Sequence, residues 1–490
     1  MGQHDGQKEL FSYEVNLDKR VRRDHPLRAI AEKIDFTFVR AQVAPFYGHN
    51  GNVSVDPVVI LKMMFLLFFE NVRSERHLME LLPERLDYLW FLGYGLNDPV
   101  PGHSVLSKAR ARWGAQVFEQ LFLRTISACL AAGLVDGQKI HVDGSLIAAN
   151  ASTDSILAGP PELVKALRKT CQKQAAKLTC GEAFPAHTLG PANETRVSKT
   201  DPDAQLARGR NTPSRPSYKQ HRLIDDANGV ITAQVTTGGS VKEDTQLWGL
   251  VEQHQKNTCV AVQTVVADSQ YGTVENFLAC QQQSIHPHMA DLKGAQDQAG
   301  LRKEFFGEEK FIYDAATDTY SCPVGQVMRR WQKRAEKKAY QYMARKGACD
   351  NCVLRAQCTR AKGGRRIQRF DQQEQIDQAR AASRSTAARR DRRRRKHLME
   401  GSFADAANQH GFKRARWRRL WRQQIQGHLI AACQNIRILL RARRTGPRTA
   451  LAGSNPTLWP MSCRSGSLAL AGQHFCGGPW DFNQYPSRTL

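Results

Sequence analysis

Two aspartates in this sequence each follow a short apolar run that predicts a β-strand. Asp143 ends the strand predicted over Lys139–Val142, and Asp268 ends the strand predicted over Val262–Ala267. Open α/β sheets bind ligands at the carboxyl ends of their strands, and Mg²⁺ is held by a few carboxylates together with water and phosphate oxygens. If the strands are neighbours, the pair predicts a magnesium site. Both aspartates would also suit turns, so a third acid is needed to decide.

The acid that we consider as the third member is Glu400. It lies in a helical stretch from Gln372 to Ala406 that is strongly basic around it. By its local chemistry alone, a glutamate in such a run is an ordinary surface ion-pair partner. Spacing therefore leaves the role of Glu400 open.

Four cysteines fall within 37 positions and include one Cys-x₂-Cys pair. In a reducing compartment, cysteines are free thiols or metal ligands more often than disulfides. The spacing suits a closed, structural zinc site with four thiolate ligands, while four unrelated buried thiols remain the alternative. The four residues are Cys322, Cys349, Cys352 and Cys358.

The chain of 490 residues is strongly basic, with 71 Lys and Arg against 46 Asp and Glu and a formal charge of +25. Such an excess indicates a polyanionic partner, nucleic acid first, although a generally basic protein is the alternative. The segment Lys413–Arg422 alternates arginine with tryptophan and predicts a DNA-contacting helix, in which Trp417 and Trp421 pack inward. The residues that we predict to bind DNA are Lys219, Arg395, Lys396, Lys413, Arg414, Arg416 and Arg418.

No membrane partner is expected from the sequence. The longest apolar run, Pro57–Phe69, is shorter than a bilayer requires, and the first residues, 1–23, show no secretory signal. We therefore expect a cytoplasmic protein.

The elements that must position these residues change along the chain. Apolar residues at helical spacing from Pro26 to Leu134 predict helices, one of them capped by Asp56-Pro57. Strands over Ser217–Ile224 and Val230–Thr237 predict a hairpin around Asn228-Gly229. We divide the chain into an arm (1–25), a helical DNA-binding domain (26–135), a first core part (136–302) with a polar helical insertion (about 152–216), a Cys₄ insertion (303–370), a second core part (371–442) and a disordered tail (443–490).

The order of these motifs resembles that of bacterial insertion-sequence transposases of the DDE class. Three blocks around the acids resemble the family's catalytic motifs, and two segments near the hairpin and the helical N-terminal part are similar as well. The blocks are 141–151, 266–276 and 400–403 with 410–418; the other segments are 200–204, 218–221 and 26–135.

The resemblance implies an α/β RNase H-like catalytic core with an all-helical N-terminal domain and a small zinc-binding insertion. It implies that Asp143, Asp268 and Glu400 hold two Mg²⁺ (or Mn²⁺) ions, which support DNA strand cleavage at the element's ends and strand transfer to target DNA. The expected partner is double-stranded DNA, both terminal inverted repeats and target, bound by a homodimer in a synaptic complex. A bacterial, nucleoid-associated location and a structural Zn²⁺ follow from the same resemblance.

One position departs from the family's pattern. Many relatives carry a lysine seven positions after the glutamate, where this chain has Ala407. Lys413 or Arg414 would be near enough in sequence to replace it. The alternatives are a catalytically inactive, transposase-derived DNA-binding protein and a sequence-independent nuclease.

Overall fold

A computed structural model describes residues 15–47, 54–178, 190–209, 212–297, 304–335 and 338–445. Most of the predicted N-terminal arm, and all but the first residues of the tail predicted to be disordered, lie outside the described residues. In the described part, no helix is long and apolar enough to cross a membrane.

The N-terminal part is helical, as its apolar spacing predicts. Asp56 accepts a hydrogen bond from the backbone N–H of Val58, and Pro57 occupies the first turn of the helix that follows. This helix is buried on nearly all sides, which explains its continuous apolar sequence. The helices are α1 (Leu17–Arg20), α2 (Pro26–Lys33), α3 (Phe38–Val43), α4 (Pro57–Phe69), α5 (Glu75–Leu81), α6 (Leu86–Leu92), α7 (Ser104–Trp113) and α8 (Gln116–Ala131).

The central element is a six-stranded mixed sheet. Its strands are β1 (Lys139–Ala148), β4 (Gln205–Ala207), β5 (Arg215–Asp225), β6 (Ile231–Gly238), β7 (Thr264–Ala267) and β8 (His286–Met289). The order is β4-β5-β1-β7-β8, with β6 also paired to β5. Strand β5 is antiparallel to β1 and β6, whereas β7 and β8 run parallel to β1. The predicted hairpin is β5 and β6.

Strand β1 is longer than the sequence predicts. We expected it to end at Asp143, with a helix or loop from Ser145, but it continues to Ala148. The reason is its partner: β5 pairs with it from Ile140 opposite Asp225 to Ala148 opposite Ser217. Asp143 therefore lies within the strand.

Helices cover the sheet and join it to the N-terminal part. Helices α11 (Leu247–Thr258) and α12 (Val274–Gln282) contribute to a core around the apolar residues of β1 and β7. A second core joins the N-terminal helices to α16 (Thr386–His410) and α17 (Leu420–Thr445) through residues such as Phe403 and Leu429. The N-terminal helices thus share their core with the C-terminal ones.

The helical stretch predicted over 372–406 is divided in two. Helix α15 (Gln373–Ser383) ends before Ser385, whose side chain accepts a hydrogen bond from the backbone N–H of Ala388 and caps α16. A serine at this position starts a new helix because it satisfies one of the free N–H groups there.

The predicted helix is wrong for residues 413–419, which are not helical and include an isolated β-bridge between Arg414 and Ala148. Gly411, with φ of 64°, ends α16. The backbone then bonds to β1, because Ala148 N–H donates to Lys413 O and Ala415 N–H donates to Ala148 O. Arg419 also has a positive φ, 84°, so the chain does not become helical until α17 begins.

The remaining elements lie in two insertions. The first contains β2 (Ile156–Ala158), α9 (Pro161–Leu178), α10 (Pro191–Glu194) and β3 (Arg196–Ser198). A short helix, α13 (Leu292–Asp297), follows β8. The second insertion is a five-stranded antiparallel sheet in the order β13-β12-β11-β10-β9. Its elements are β9 (Ile312–Asp314), β10 (Thr319–Ser321), β11 (Val327–Arg334), β12 (Ala339–Ala344), α14 (Arg355–Cys358) and β13 (Arg366–Phe370).

Candidate active site

The parallel register of the sheet brings the two predicted aspartates together. His141 on β1 pairs with Val266 on β7, so the same register, continued by two residues, places Asp143 beside Asp268. Paired strands present equivalent positions to the same face. The neighbouring strands required by the sequence prediction are therefore present.

The third carboxylate in this cluster is Glu243, which the sequence analysis did not single out. One oxygen from each of Asp143, Glu243 and Asp268 lies within 4.8 Å of the others. Glu243 comes from the connection between β6 and α11. It follows β6, which pairs with β5, and β5 in turn pairs with β1. This strand pairing, rather than a local motif, is the signal that could have identified Glu243.

Glu400 does not belong to this cluster. It lies on α16 with an exposed side chain, and Ala407 lies two turns further along the same helix. Helix α16 nevertheless reaches the site through Arg395, which lies five residues before Glu400 and whose Nη1 is 2.7 Å from Asp143 Oδ2. The sequence predicts Glu400 beside the aspartates; in the structure the carboxylate that lies beside them is that of Glu243.

Two further contacts fix α16 against the sheet. Asp391, buried on α16, is 3.1 Å from Lys139 Nζ and 2.8 Å from His288 Nδ1. Asp226, at the turn of the hairpin, contacts both Arg394 and His141. Because these contacts hold the helix in place, Arg395 is directed at Asp143.

The carboxylates are partly withdrawn from water. Burial raises the pKa of Asp143, and the neighbouring Arg395 opposes that rise. Burial likewise raises the pKa of Glu243, and Lys219 opposes it. Carboxylates crowded together out of water attract a cation strongly.

The predicted DNA-binding residues lie in different environments. Lys219 forms an ion pair with Glu243, and Arg395 forms one with Asp143. Lys413 is exposed, and its Nζ donates a hydrogen bond of 2.8 Å to Ser145 Oγ on β1. The other exposed residues are Lys396, Arg414 and Arg418. These four exposed side chains lie on α16 and the following connection.

Arg416 points into the protein. Its guanidinium donates to the backbone carbonyls of Leu67 and Val72 and lies 4.4 Å from the ring of Phe68. Burial lowers its pKa to about 10. Trp421 is buried, as its spacing predicts, and Trp417 is half-buried with its indole N–H donated to Glu75. These residues join the C-terminal part to the N-terminal helices.

The four predicted zinc ligands lie near one another at turns of the second insertion. Cys322 begins the turn between β10 and β11, and Cys358 ends α14. After burial, which is the largest cause, the other three thiols raise the pKa of Cys358, whereas Arg365 lowers it. Among the described residues, however, no three of these sulfurs lie within 4.8 Å of one another.

Two protein families match this chain. A transposase domain (DUF772) matches residues 15–112, and a transposase DDE domain matches residues 321–440. The second match includes Glu400 and the four cysteines, and neither match includes the Asp143–Glu243–Asp268 cluster. One similar solved structure is a cryo-EM structure of a piggyBac transposase synaptic complex with hairpin DNA, at 9% identity and a TM-score of 0.34, covering 85% of this chain and 73% of that one. No curated protein matches.

The two family matches define a transposase with a DDE catalytic domain. Both matches agree with the resemblance to insertion-sequence DDE transposases that the motifs predict. Transposases of this class act on DNA and use divalent metal ions, so the oxygen-rich cluster at β1 and β7 has the donor chemistry that such ions require.

Proposed function

We propose that this transposase cleaves DNA strands at the ends of its insertion sequence and joins them to target DNA at a site built on Asp143 and Asp268. The observation that supports this proposal best is their neighbouring register on β1 and β7. The sheet also has the strand directions of an RNase H-like core: three antiparallel strands followed by two parallel to the first. We assign the six-stranded sheet to that core.

The donor set fits a pair of Mg²⁺ or Mn²⁺ ions. The carboxylates of Asp143, Glu243 and Asp268 lie close together at the site. Hard divalent cations prefer such oxygens. When bound, two such ions stabilise the attacking and leaving oxygens of a phosphodiester during in-line displacement. Asp143 and Asp268 would hold them, and we propose Glu400 as the third residue of the DDE triad because the family resemblance assigns it and α16 borders the site.

The chain's own cations would hold the DNA backbone beside the acids. Lys396, Lys413, Arg414 and Arg418 expose positive charge on α16 and the connection after it. Exposed lysine and arginine at such a rim bind phosphates without reading sequence. Lys413, held beside β1 by Ser145, supplies the charge that relatives place at the position of Ala407.

We further propose that the second insertion binds a structural zinc ion through Cys322, Cys349, Cys352 and Cys358. Cys322, Cys349 and Cys358 pack against the same small core, and four thiolates are the donor set of a closed tetrahedral zinc site. Arg355 supports these turns, since its Nη1 donates to Cys349 O.

The N-terminal helices are proposed to recognise the terminal inverted repeats, and two copies of the chain to form the synaptic complex. Helix α7, for example, exposes Lys108 and Arg112 while Arg110 is buried in an ion pair with Glu75. An exposed basic helix of this kind can contact phosphates. The assignment of DNA recognition rests on the family resemblance together with this exposed charge, and that of the synaptic complex rests on the resemblance alone.

The test is a strand-cleavage assay on DNA that carries one insertion-sequence end with its flanks, in Mg²⁺ and in Mn²⁺. The wild type is expected to nick at the end, and Asp143→Asn or Glu400→Gln to lose cleavage while retaining DNA binding in a gel-shift assay. Retained cleavage in Asp143→Asn would refute the site. Retained cleavage in Glu400→Gln would remove Glu400 from the triad, and equal cleavage of random DNA would indicate a sequence-independent nuclease.

A further inference from the structure

We propose that Glu243 is a metal ligand of this site, a fourth carboxylate in addition to the predicted triad. The inference rests on the proposed function, since it concerns the ion held by Asp143 and Asp268. Oxygens of Asp143, Glu243 and Asp268 already lie within 4.8 Å of one another. A single divalent cation placed between them would be close to all three.

Glycine at position 144 makes room for Glu243. A Cβ atom at Gly144 would lie 2.9 Å from Glu243 Cδ, closer than such atoms approach in proteins, and 3.1 Å from Oε1. The glutamate carboxylate therefore lies directly over the backbone of the residue that follows Asp143. The glycine permits this close approach of a side chain to the strand.

Lys219 keeps the carboxylate of Glu243 in position. Its Nζ is 3.2 Å from Oε1 of Glu243 and donates a hydrogen bond of 3.0 Å to Val241 O, in the same connection. Both side chains are largely buried, with 14% and 19% of their surface exposed. A buried carboxylate requires such a partner, and here the partner leaves the other oxygen available.

The charges of the cluster favour a further cation. Three carboxylates face two cations, Arg395 on Asp143 and Lys219 on Glu243. Like charges at such distances repel one another where water is partly excluded. A divalent ion would compensate the remaining negative charge.

The hydroxyl of Tyr271 independently indicates a ligand. Tyr271 is fully buried, and its hydroxyl has no hydrogen-bond partner among the described residues. After burial, the nearby charges of Glu243, Asp143 and Asp268 raise its pKa, so this residue lies in the electrostatic neighbourhood of the cluster. A buried donor without an acceptor is costly, and an oxygen ligand of a bound ion would satisfy it.

The competing interpretation gives Glu243 a purely structural role as the partner of Lys219. Under that interpretation the glutamate would affect folding stability but would make no contribution to metal affinity. Metal binding measured without DNA therefore distinguishes the two roles directly.

The experiment titrates the full-length chain with Mn²⁺, without DNA, and measures free Mn²⁺ by electron paramagnetic resonance. Glu243→Gln is expected to weaken binding about tenfold or more, since loss of even an outer-shell partner of a metal ligand typically costs about that much. The matched control Glu252→Gln, an exposed glutamate on α11, should remain within about twofold of the wild type. Unchanged affinity in Glu243→Gln would overturn the inference.

Asp143→Asn separates this inference from the proposed function. If Asp143→Asn loses Mn²⁺ binding and Glu243→Gln does not, the site stands and Glu243 is only structural. If neither variant changes Mn²⁺ binding, the metal site itself is misplaced.

Gly144→Ala tests the same inference without removing any carboxylate. The added methyl group should displace Glu243 and weaken Mn²⁺ binding, whereas Gly249→Ala, where a Cβ meets nothing within 4 Å, should not. Tyr271→Phe should weaken Mn²⁺ binding severalfold without lowering the melting temperature, because it removes a buried hydroxyl that has no partner. Wild-type affinity in both Gly144→Ala and Tyr271→Phe would contradict the inference.

Discussion

The two groups of proposed metal ligands are built in different ways. Asp143 lies on β1 and Asp268 directly follows the neighbouring strand β7, in a sheet whose apolar residues belong to two large hydrophobic cores. The four cysteines lie in connections and at the end of α14, beside a small core of only a few buried residues, which include Phe311, Tyr342 and Ile367. The fold alone brings the carboxylates together, whereas the sulfurs come near one another without closing a site.

If both proposed sites bind metals, this difference predicts different roles for the two ions. A site that the sheet forms by itself does not need its ion in order to fold, so its ions are free to serve chemistry. A small sheet with few buried residues gains much of its stability from a metal that crosslinks its turns. The following predictions test that contrast, from the largest expected effect to the smallest.

Asp268→Asn should abolish strand cleavage and leave the fold intact. Loss of a carboxylate that holds the ions should lower the cleavage rate about a thousandfold or more, since each tenfold corresponds to about 1.4 kcal/mol of barrier. The measurement is single-turnover cleavage together with a thermal melt. A melting temperature that falls by more than about 5 °C would mean that the aspartate also stabilises the sheet.

Removal of zinc should unfold the second insertion and leave the central sheet folded. Treatment with a strong zinc chelator is expected to accelerate amide hydrogen exchange within 304–370 by orders of magnitude, because zinc binding free energy stabilises such modules directly. Withdrawal of Mg²⁺ by dialysis should change exchange in neither region. Unchanged exchange within 304–370 after the chelator would argue for four unrelated thiols.

Gly364→Ala should loosen the cysteine site. Gly364 has φ of 86°, and a Cβ there would lie 2.8 Å from Cys349 Sγ. We expect a cost of about 1–2 kcal/mol from the backbone alone and weaker zinc retention during chelator competition. Gly363→Ala is the matched control, because a Cβ at that position meets nothing within 4 Å; equal zinc release from both variants would contradict the prediction.

Lys396→Gln should weaken DNA binding modestly and equally for all sequences. Lys396 is exposed on α16 near the carboxylates, and loss of one phosphate contact reduces the salt dependence of binding by about one unit of slope. Lys165→Gln, an exposed lysine on α9, serves as the control. An unchanged slope in Lys396→Gln would place the DNA path elsewhere.

Much of the fold could be predicted from the sequence because its signals are local. The cap at Asp56, the hairpin turn at Asn228-Gly229 and the strand before Asp268 each depend on neighbouring residues. The extent of β1 could not be predicted, because pairing with β5 extends it beyond Asp143. The connection at 413–419 was misread as a helix for a similar reason, since its backbone bonds to β1.

The sequence by itself determined the class of this protein and predicted its two aspartates and four cysteines as metal ligands, since each prediction depends on motifs and spacing along the chain. Only the tertiary structure brought Glu243 to Asp143, turned Arg416 inward and engaged Lys219 and Arg395 with carboxylates. The physical reason is distance along the chain. About 100 residues separate Asp143 from Glu243, and no local pattern records a contact that the sheet register and the space over Gly144 create.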